Sequence, residues 1–513
     1  MPTIPDLLPS LEMILDALPG LSVVLVSLVA LAGLLLQRAR AFEVVVGTLR
    51  AGTGVAVLAA GTALTLLSLG EMSPLLTAAF GIDAHGTTGS DLRGVLPDSR
   101  AALSMAQTLD LPMIAALALG GLAVALLLAR VTPLRVVPLS GTAVLLLAAL
   151  LAQVLAGSGA GRGASILVGS AVAGVVLVAM PALLQPFVRR VTGGAPVAIS
   201  DLGATGLIAA GAAGRLVDPR GRSSSTDPLP VAEDAVPMRG TAVGAVAVML
   251  LLSVAIGIAE LVSARARAEA PLLDPLVIAA LSIIGLGLSL ALGLILIHVG
   301  AQRLLRSLLP AFRGIADRVL PGAVPALPVQ VLFPFAPNAV LIGFVASLAA
   351  GIGAGLGLMA AGGGRLAADL TVAEGTAVAS WVVLPSLVAH LLSGGAAGVI
   401  GNATGGRRGA VAGAVVNGLL ITVLPLVLLA ALGLSGWDDT VFADTDLAWL
   451  GALLSLGTVS SPVVSILVLL AIGAALLGAA ILMQRRIVDA GWDPAPHRRA
   501  PGTVEVIEKS ARP

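Results

Sequence analysis

The chain has 513 residues, 58% of them hydrophobic and 11% charged, with a formal net charge of +1. Ordinary soluble domains carry about 25% charged residues, and water-soluble cores stop growing beyond roughly 250–300 residues. These proportions exclude one large soluble core and point to lipid as the solvent. The absence of cysteine excludes disulfides, thiolate metal sites and cysteine nucleophiles.

The first 20 residues carry Asp6, Glu12 and Asp16 but no Arg or Lys, the wrong sign for the leading region of a secretory signal. Apolar runs then recur along the whole chain. They are continuous rather than alternating, and most reach the ~18 residues that a membrane-crossing helix needs, so helices are expected and not a barrel. Eleven spans are predicted, at 21–36, 44–69, 109–129, 136–156, 164–186, 240–262, 276–298, 339–361, 376–395, 409–434 and 461–483. The first is short and is expected to begin before Leu21.

Threading these spans with the N-terminus outside leaves Arg93, Arg100, Arg162, Arg265, Arg267 and Arg365 on one side and the rest of the 29 basic residues on the other. Acidic residues lean the opposite way, as at Asp438, Asp439, Asp444 and Asp446. Positive residues are retained in the cytoplasm, so the C-terminal tail is expected there.

Three segments fit neither a span nor an ordinary loop. Residues 195–213 are apolar and Gly-rich but lie between two arginine clusters. Residues 324–338 carry Pro325, Pro328, Pro334 and Pro337, too many for one regular helix. Residues 392–405 are rich in Gly and small polar residues. All three read as re-entrant or broken-helix elements, which transporters commonly use to build the solute site. Close helix packing through small residues is the competing reading for the Gly-rich runs. Residues 301–318 read as an amphipathic interfacial helix broken near Pro310, residues 218–238 as a polar loop, and residues 487–513 as a disordered polar tail.

Few groups offer chemistry. His85 and His497 fall in solvated segments, and His298 falls at a span end. His390 alone lies near membrane depth, without a carboxylate partner in sequence. No metal cluster, nucleotide loop or catalytic triad is visible, so no catalytic residue, metal or cofactor is expected. Asp201 is placed to touch a solute or to cap a half-helix. Gln330, Asn338 and Asn402 are neutral polar groups on the irregular elements, suited to a neutral or hydroxylated solute.

Residues 297–340 carry Gly300, Ala311-Phe312, Gly314-Ile315, Arg318, Pro321-Gly322-Ala323-Val324 and Phe335-Ala336-Pro337-Asn338-Ala339-Val340 without a gap. A second run holds Ser393, Gly398-Val399, Asn402, Gly405-Gly406 and Arg408. Together they resemble the ascorbate-type membrane component (enzyme IIC) of the bacterial sugar phosphotransferase system.

The resemblance implies an all-α polytopic membrane protein with about eleven transmembrane helices and re-entrant hairpins, the N-terminus outside and the C-terminus cytoplasmic. It implies a single permease unit over 1–486, with interleaved core and dimerisation subdomains, and a short tail over 487–513. The implied function is a homodimeric permease of the bacterial inner membrane that translocates a sugar-like solute such as L-ascorbate. A separate IIB protein, recharged by IIA, would phosphorylate the solute, and no nucleic acid takes part. A carrier independent of the phosphotransferase, or a non-transporting binding or sensor protein, is the alternative.

The chain departs from the family pattern at several polar positions. A Gly-His pair of the family corresponds to Gly141-Thr142, and a second to a stretch containing Thr205. A family Asp falls on Pro328, a Gln on Ala59 and an Asn on Gly394. The expected solute contacts are Thr142, Asp201, Thr205, Asn338, Ser393 and Asn402, with Thr142 and Thr205 taken for standing where the family has histidine.

Overall fold

The computed structural model describes residues 11–70, 111–226, 273–360, 387–433, 444–456 and 461–497. The predicted span 240–262 and most of 376–395 lie outside the described residues. Seven helices among the described residues are long and apolar enough to cross a membrane, and shorter apolar helices accompany them.

The chain opens with α1 (Leu11–Leu36), α2 (Ala41–Gly70) and α3 (Leu111–Val131). α1 begins before Leu21, as its short apolar run predicts. The span predicted over 136–156 divides in two: strand β1 (Val136–Pro138), then α4 (Gly141–Gly157) capped by Ser140, whose side chain accepts from the Ala143 N–H at 3.4 Å. α5 (Arg162–Thr192) leads to β2 (Ala198–Ile199) and α6 (Ala204–Val217).

α7 (Leu273–Arg318) runs unbroken for 46 residues. At 1.5 Å per residue it is about 70 Å long, far more than the ~30 Å of a hydrocarbon core. The break expected near Pro310 is absent. The carbonyls of Pro310 and Ala311 accept from Gln37 Nε2, in the turn after α1, at 2.8 and 2.9 Å.

The Pro-rich segment becomes β3 (Val324–Leu327), a 3₁₀ helix (Val329–Phe335) and then α8 (Pro337–Ala360), with Pro337 at the first helical position, where no N–H is needed. The three strands form one parallel sheet in the order β1-β3-β2. Pro325 sits in its central strand at no cost to the ladder. The backbone of Val324 and Ala326 bonds toward β1, which leaves Pro325 facing the β2 side, where β2 begins only opposite Ala326.

A π turn (His390–Gly394) opens α9 (Gly395–Gly433), which carries non-helical dihedrals at Gly405 and Gly406. The chain reverses there. Ser393 pairs with Asn417, His390 approaches Thr422, and Gly401 lies against the carbonyl of Gly409. The arms 395–404 and 407–433 are therefore an antiparallel hairpin. α10 (Thr445–Leu456) and α11 (Pro462–Met483) complete the described chain. α10 is a short, largely buried helix packed on α4, α6 and α9, with Asp446 in its first turn and Asp444 just before it.

Two packing groups result. α1, α2 and α7 form one, while α6, α8, the α9 hairpin and α10 pack together beside α3, α4 and α5. Glycine lets backbones touch in both. A Cβ at Gly61 of α2 would lie 2.5 Å from the Ile297 nitrogen of α7, and one at Gly343 of α8 would lie 2.9 Å from the Gly398 Cα of α9. Close backbone approach is the main source of helix association where lipid removes the hydrophobic drive.

Part of the tail expected to be disordered is docked. Trp492 packs edge-on to Phe187 with ring centroids 6.2 Å apart, and the Arg215 guanidinium lies 5.5 Å from its ring. Asp493 pairs with Arg190 at 2.9 Å, and Arg189 donates to the Val488 carbonyl at 2.8 Å.

Two measurements check this packing. Gly61→Val forces α2 and α7 apart and is expected to cost about 1–3 kcal/mol. In thermal unfolding of the detergent-solubilised protein it lowers the midpoint, while Gly285→Ala, with nothing within 4 Å of the added carbon, does not lower it. The double variant Trp492→Ala, Asp493→Ala releases the docked tail, so limited proteolysis read by mass spectrometry cuts after Val488 in the variant and not in the unaltered protein.

Candidate functional site

The site grows from the carboxyl ends of the three parallel strands. Parallel pairing makes β1, β2 and β3 end on the same side, and each feeds a helix start: Ser140 before α4, Gly203 before α6 and Pro328 before the 3₁₀ helix. Helix starts carry orphan N–H groups, and groups buried away from water need partners.

Asp201 supplies one such partner. Its Oδ2 accepts from the Val329 N–H at 2.6 Å, and it also accepts from the Ser140 side chain. It thereby ties the start of the 3₁₀ helix to the start of α4. Of the two roles expected for it, capping a half-helix is the one the geometry displays.

α10 caps α6. Asp446 Oδ2 accepts from the Ala204 N–H at 2.7 Å, and Oδ1 from the Thr205 N–H at 2.8 Å. Thr445 Oγ1 accepts from the Gly206 N–H at 3.1 Å, and the Asp446 N–H returns a bond to the Leu202 carbonyl at 2.8 Å. The Thr205 hydroxyl donates to Asp446 and accepts from Trp449 Nε1 at 2.9 Å. Asp446 is fully buried, whereas Asp201, Thr205, Asp444 and Trp449 keep partial exposure.

The hairpin closes the cluster from the other side. The Asn417 amide donates to Ser393 Oγ at 3.1 Å, and Ser393 Oγ stands 3.3 Å from Asn417 Oδ1. A Cβ at Gly203 would lie 3.7 Å from Ser393 Oγ and 3.9 Å from Asp444 Oδ1. At Gly206 an added carbon would strike the Asn417 carbonyl oxygen. Glycine is needed at that position because α6 and the hairpin meet with no room for a side chain.

Of the expected solute contacts, the structure gathers Asp201, Thr205 and Ser393 at this junction. Thr142 is exposed on the first turn of α4, two residues from the Ser140 that meets Asp201. Asn338 opens α8 beside Ala339, whose carbonyl faces Gly398. That level is five residues, or about 8 Å of helix rise, along the hairpin from Ser393. Asn402 lies further still. Its Oδ1 accepts from the Thr226 N–H at 3.0 Å and its amide donates to Ser225 at 3.1 Å, so it holds the 223–226 loop beside the arginine-rich hairpin tip.

His390 is buried against Ser347, with Nδ1 2.7 Å from Oγ, in the contact between α8 and the hairpin, where Gly351 makes room for the ring. Among the described residues no group of three or more potential metal ligands occurs.

Sequence reasoning missed Ser140, Asn417, Thr445, Asp446 and Trp449. A faint signal existed for two of them: Thr445-Asp446 precedes an apolar run, the pattern of a helix start. Nothing local tells which helix those oxygens serve.

A curated relative described as the "Ascorbate-specific PTS system EIIC component" of Mycoplasma pneumoniae is 32% identical over 130 residues, covering 25% of this chain and 18% of the relative. The chain thus aligns with under a fifth of that protein's length. The profile of a whole family, described as "PTS system sugar-specific permease component", matches residues 19–446. With seven helices described that are long and apolar enough to cross a membrane, and that match over most of its length, the chain belongs to the sugar-specific permease components of the phosphotransferase system and is a multi-pass integral membrane protein.

Proposed function

We propose that the chain is the translocating subunit of a phosphotransferase-type permease in the bacterial inner membrane. It carries a sugar-like solute inward, with L-ascorbate as the reference compound, and a separate cytoplasmic IIB protein recharged by IIA phosphorylates the solute. In this reading the arginine-rich face, with the hairpin tip and the docked tail, is cytoplasmic. Residues 1–486 are one permease unit and 487–513 its tail. α1, α2 and α7 form the dimerisation part of a homodimer, past which α6, α8, the hairpin and α10 move as a rigid core. Thr142, Asp201, Thr205, Asn338 and Ser393 face the solute along its path, and Asn402 stands at its cytoplasmic end.

The observation that supports this reading is the convergence of the start of the short helix α6, a hairpin and three strand ends on one partly exposed polar cluster. Interrupted backbone of this kind is tolerated at membrane depth only where protein buries it or a cavity solvates it. A second reading, a phosphotransferase-independent carrier or a non-transporting binding protein, is favoured by the internal pairing of Asp201, Thr205 and Ser393, each of which already has partners within the chain.

Uptake into vesicles containing the full chain separates the readings. Accumulation of phosphorylated solute only when purified IIA and IIB are inside is the expected result. Uptake without them establishes the carrier, and binding without uptake establishes the sensor. Removing one hydrogen-bonding group is expected to weaken solute binding by about 1 kcal/mol, a factor of about five to ten. Ser393→Ala and Thr205→Val therefore raise KM by that factor. Asn402→Ala acts mainly through the 223–226 loop and changes KM by less than about twofold.

A further inference from the structure

Arginines gather at the far end of α6 and at the neighbouring hairpin tip, and the structure sorts them into two kinds. The guanidinium groups of Arg189, Arg190 and Arg215 are engaged by the tail. Arg189 donates to the Val488 carbonyl, Arg190 pairs with Asp493 and reaches the Ala403 carbonyl, and Arg215 lies over Trp492. Arg220, Arg222, Arg407 and Arg408 are different. All four are exposed, and among the described residues none of them forms an ion pair.

These four cations stand on one fixed platform. Asp218 accepts from the Arg222 and Ser223 amides at 2.8 and 2.9 Å, which folds the loop back on the end of α6. The Arg407 amide donates to the Ser224 carbonyl at 2.9 Å, the Arg407 side chain to the Ser225 carbonyl at 3.2 Å, and the Arg408 amide to Ser223 Oγ at 3.3 Å. Asn402 holds Ser225 and Thr226. The backbone is thus set before any partner arrives. Residues 218–226 and 402–408 contain no Val, Leu, Ile, Met or aromatic residue, so the platform has no apolar group to insert into lipid. Leu216, exposed on the last turn of α6, stands at its edge and offers a protein partner an apolar contact.

We propose that Arg220, Arg222, Arg407 and Arg408 form the docking surface for the cytoplasmic IIB protein, whose negatively charged face and phosphoryl group they receive. This deepens the permease reading and rests on it. A guanidinium group matches carboxylate and phosphoryl oxygens with paired hydrogen bonds. Like charges grouped on one rigid platform repel each other, and they steer a partner of opposite charge toward it. In the permease reading Asn402 lies at the cytoplasmic end of the solute path, so a partner seated on the loop that Asn402 holds meets the solute as it emerges.

The test measures binding of purified IIB from the same bacterium to the full chain in nanodiscs of neutral lipid, over about 50 to 500 mM salt. The unaltered protein is expected to bind IIB with an association rate that falls as salt rises. Arg222→Glu with Arg408→Glu lowers the affinity at least about tenfold, mainly through slower association, and flattens the salt dependence. Arg222→Gln with Arg408→Gln, which removes the charge without reversing it, falls between. If the Glu pair lowers the thermal unfolding midpoint, the Gln pair is read in its place. Arg407 is left unchanged because its side chain helps to hold the loop. Arg303→Glu with Arg313→Glu, exposed on α7 in the other packing group, changes the net charge equally and leaves the affinity within about twofold.

IIB binding that the Arg222 and Arg408 variants leave unchanged, or that the Arg303 and Arg313 variant weakens equally, overturns the docking surface and leaves the permease reading intact. Unchanged IIB binding, with loss in those variants of a stabilisation by phosphatidylglycerol nanodiscs, assigns the arginines to the membrane surface and also overturns it. Failure of IIB to bind the unaltered protein contradicts coupling to the phosphotransferase itself and overturns both.

Discussion

The start of α6 lies inside the protein, where its first amides cannot be hydrated. In a membrane every such group needs an internal partner, at a cost of several kcal/mol if it has none. The architecture around the site follows from meeting that demand. Asp446 and Thr445 take three amides of α6, and Asp201 takes the amide that starts the 3₁₀ helix. The strand segments that precede these helices satisfy one another as a small parallel sheet. Each break in regular structure is matched by a partner from a distant part of the chain. That matching fixes α10, the 3₁₀ helix and α4 around one point.

Glycine makes the matching reachable. Gly206, Gly211 and Gly214 line α6 where it meets Asn417, Phe187 and Thr404, and Gly394 and Gly398 seat the hairpin on α8. Larger residues there would hold the helices apart and pull the capping side chains from the amides they serve. The reading of the Gly-rich segments as close-packing surfaces is met at these contacts. α6 reaches its caps because the stripe permits close packing.

The two ends of α6 differ in chemistry. At its start the partners are carboxylates and neutral donors. At its far end Arg215 meets Trp492, Arg190 joins the Ala403 carbonyl of the hairpin to Asp493 of the tail, and Asp218 accepts from the amides of Arg222 and Ser223. One end is capped by Asp446 and Thr445, and the other clasps α5, the hairpin tip and the C-terminal segment.

The sequence by itself determined the solvent, the helical class and most described spans, because hydropathy is a sum over neighbouring residues and needs no tertiary partner. It also marked the three irregular segments, one by the crowding of Pro325, Pro328 and Pro334 and two by their glycine content. Tertiary structure decided the rest. It carried 273–318 through Pro310 as one helix, and it made Asp446 the cap of a helix some 240 residues earlier in the chain. It set Asn402, on a motif that resembles the family's, beside the 223–226 loop and away from Ser393. Such assignments depend on which distant backbone groups lack partners, and that pairing is fixed only when the helices are packed.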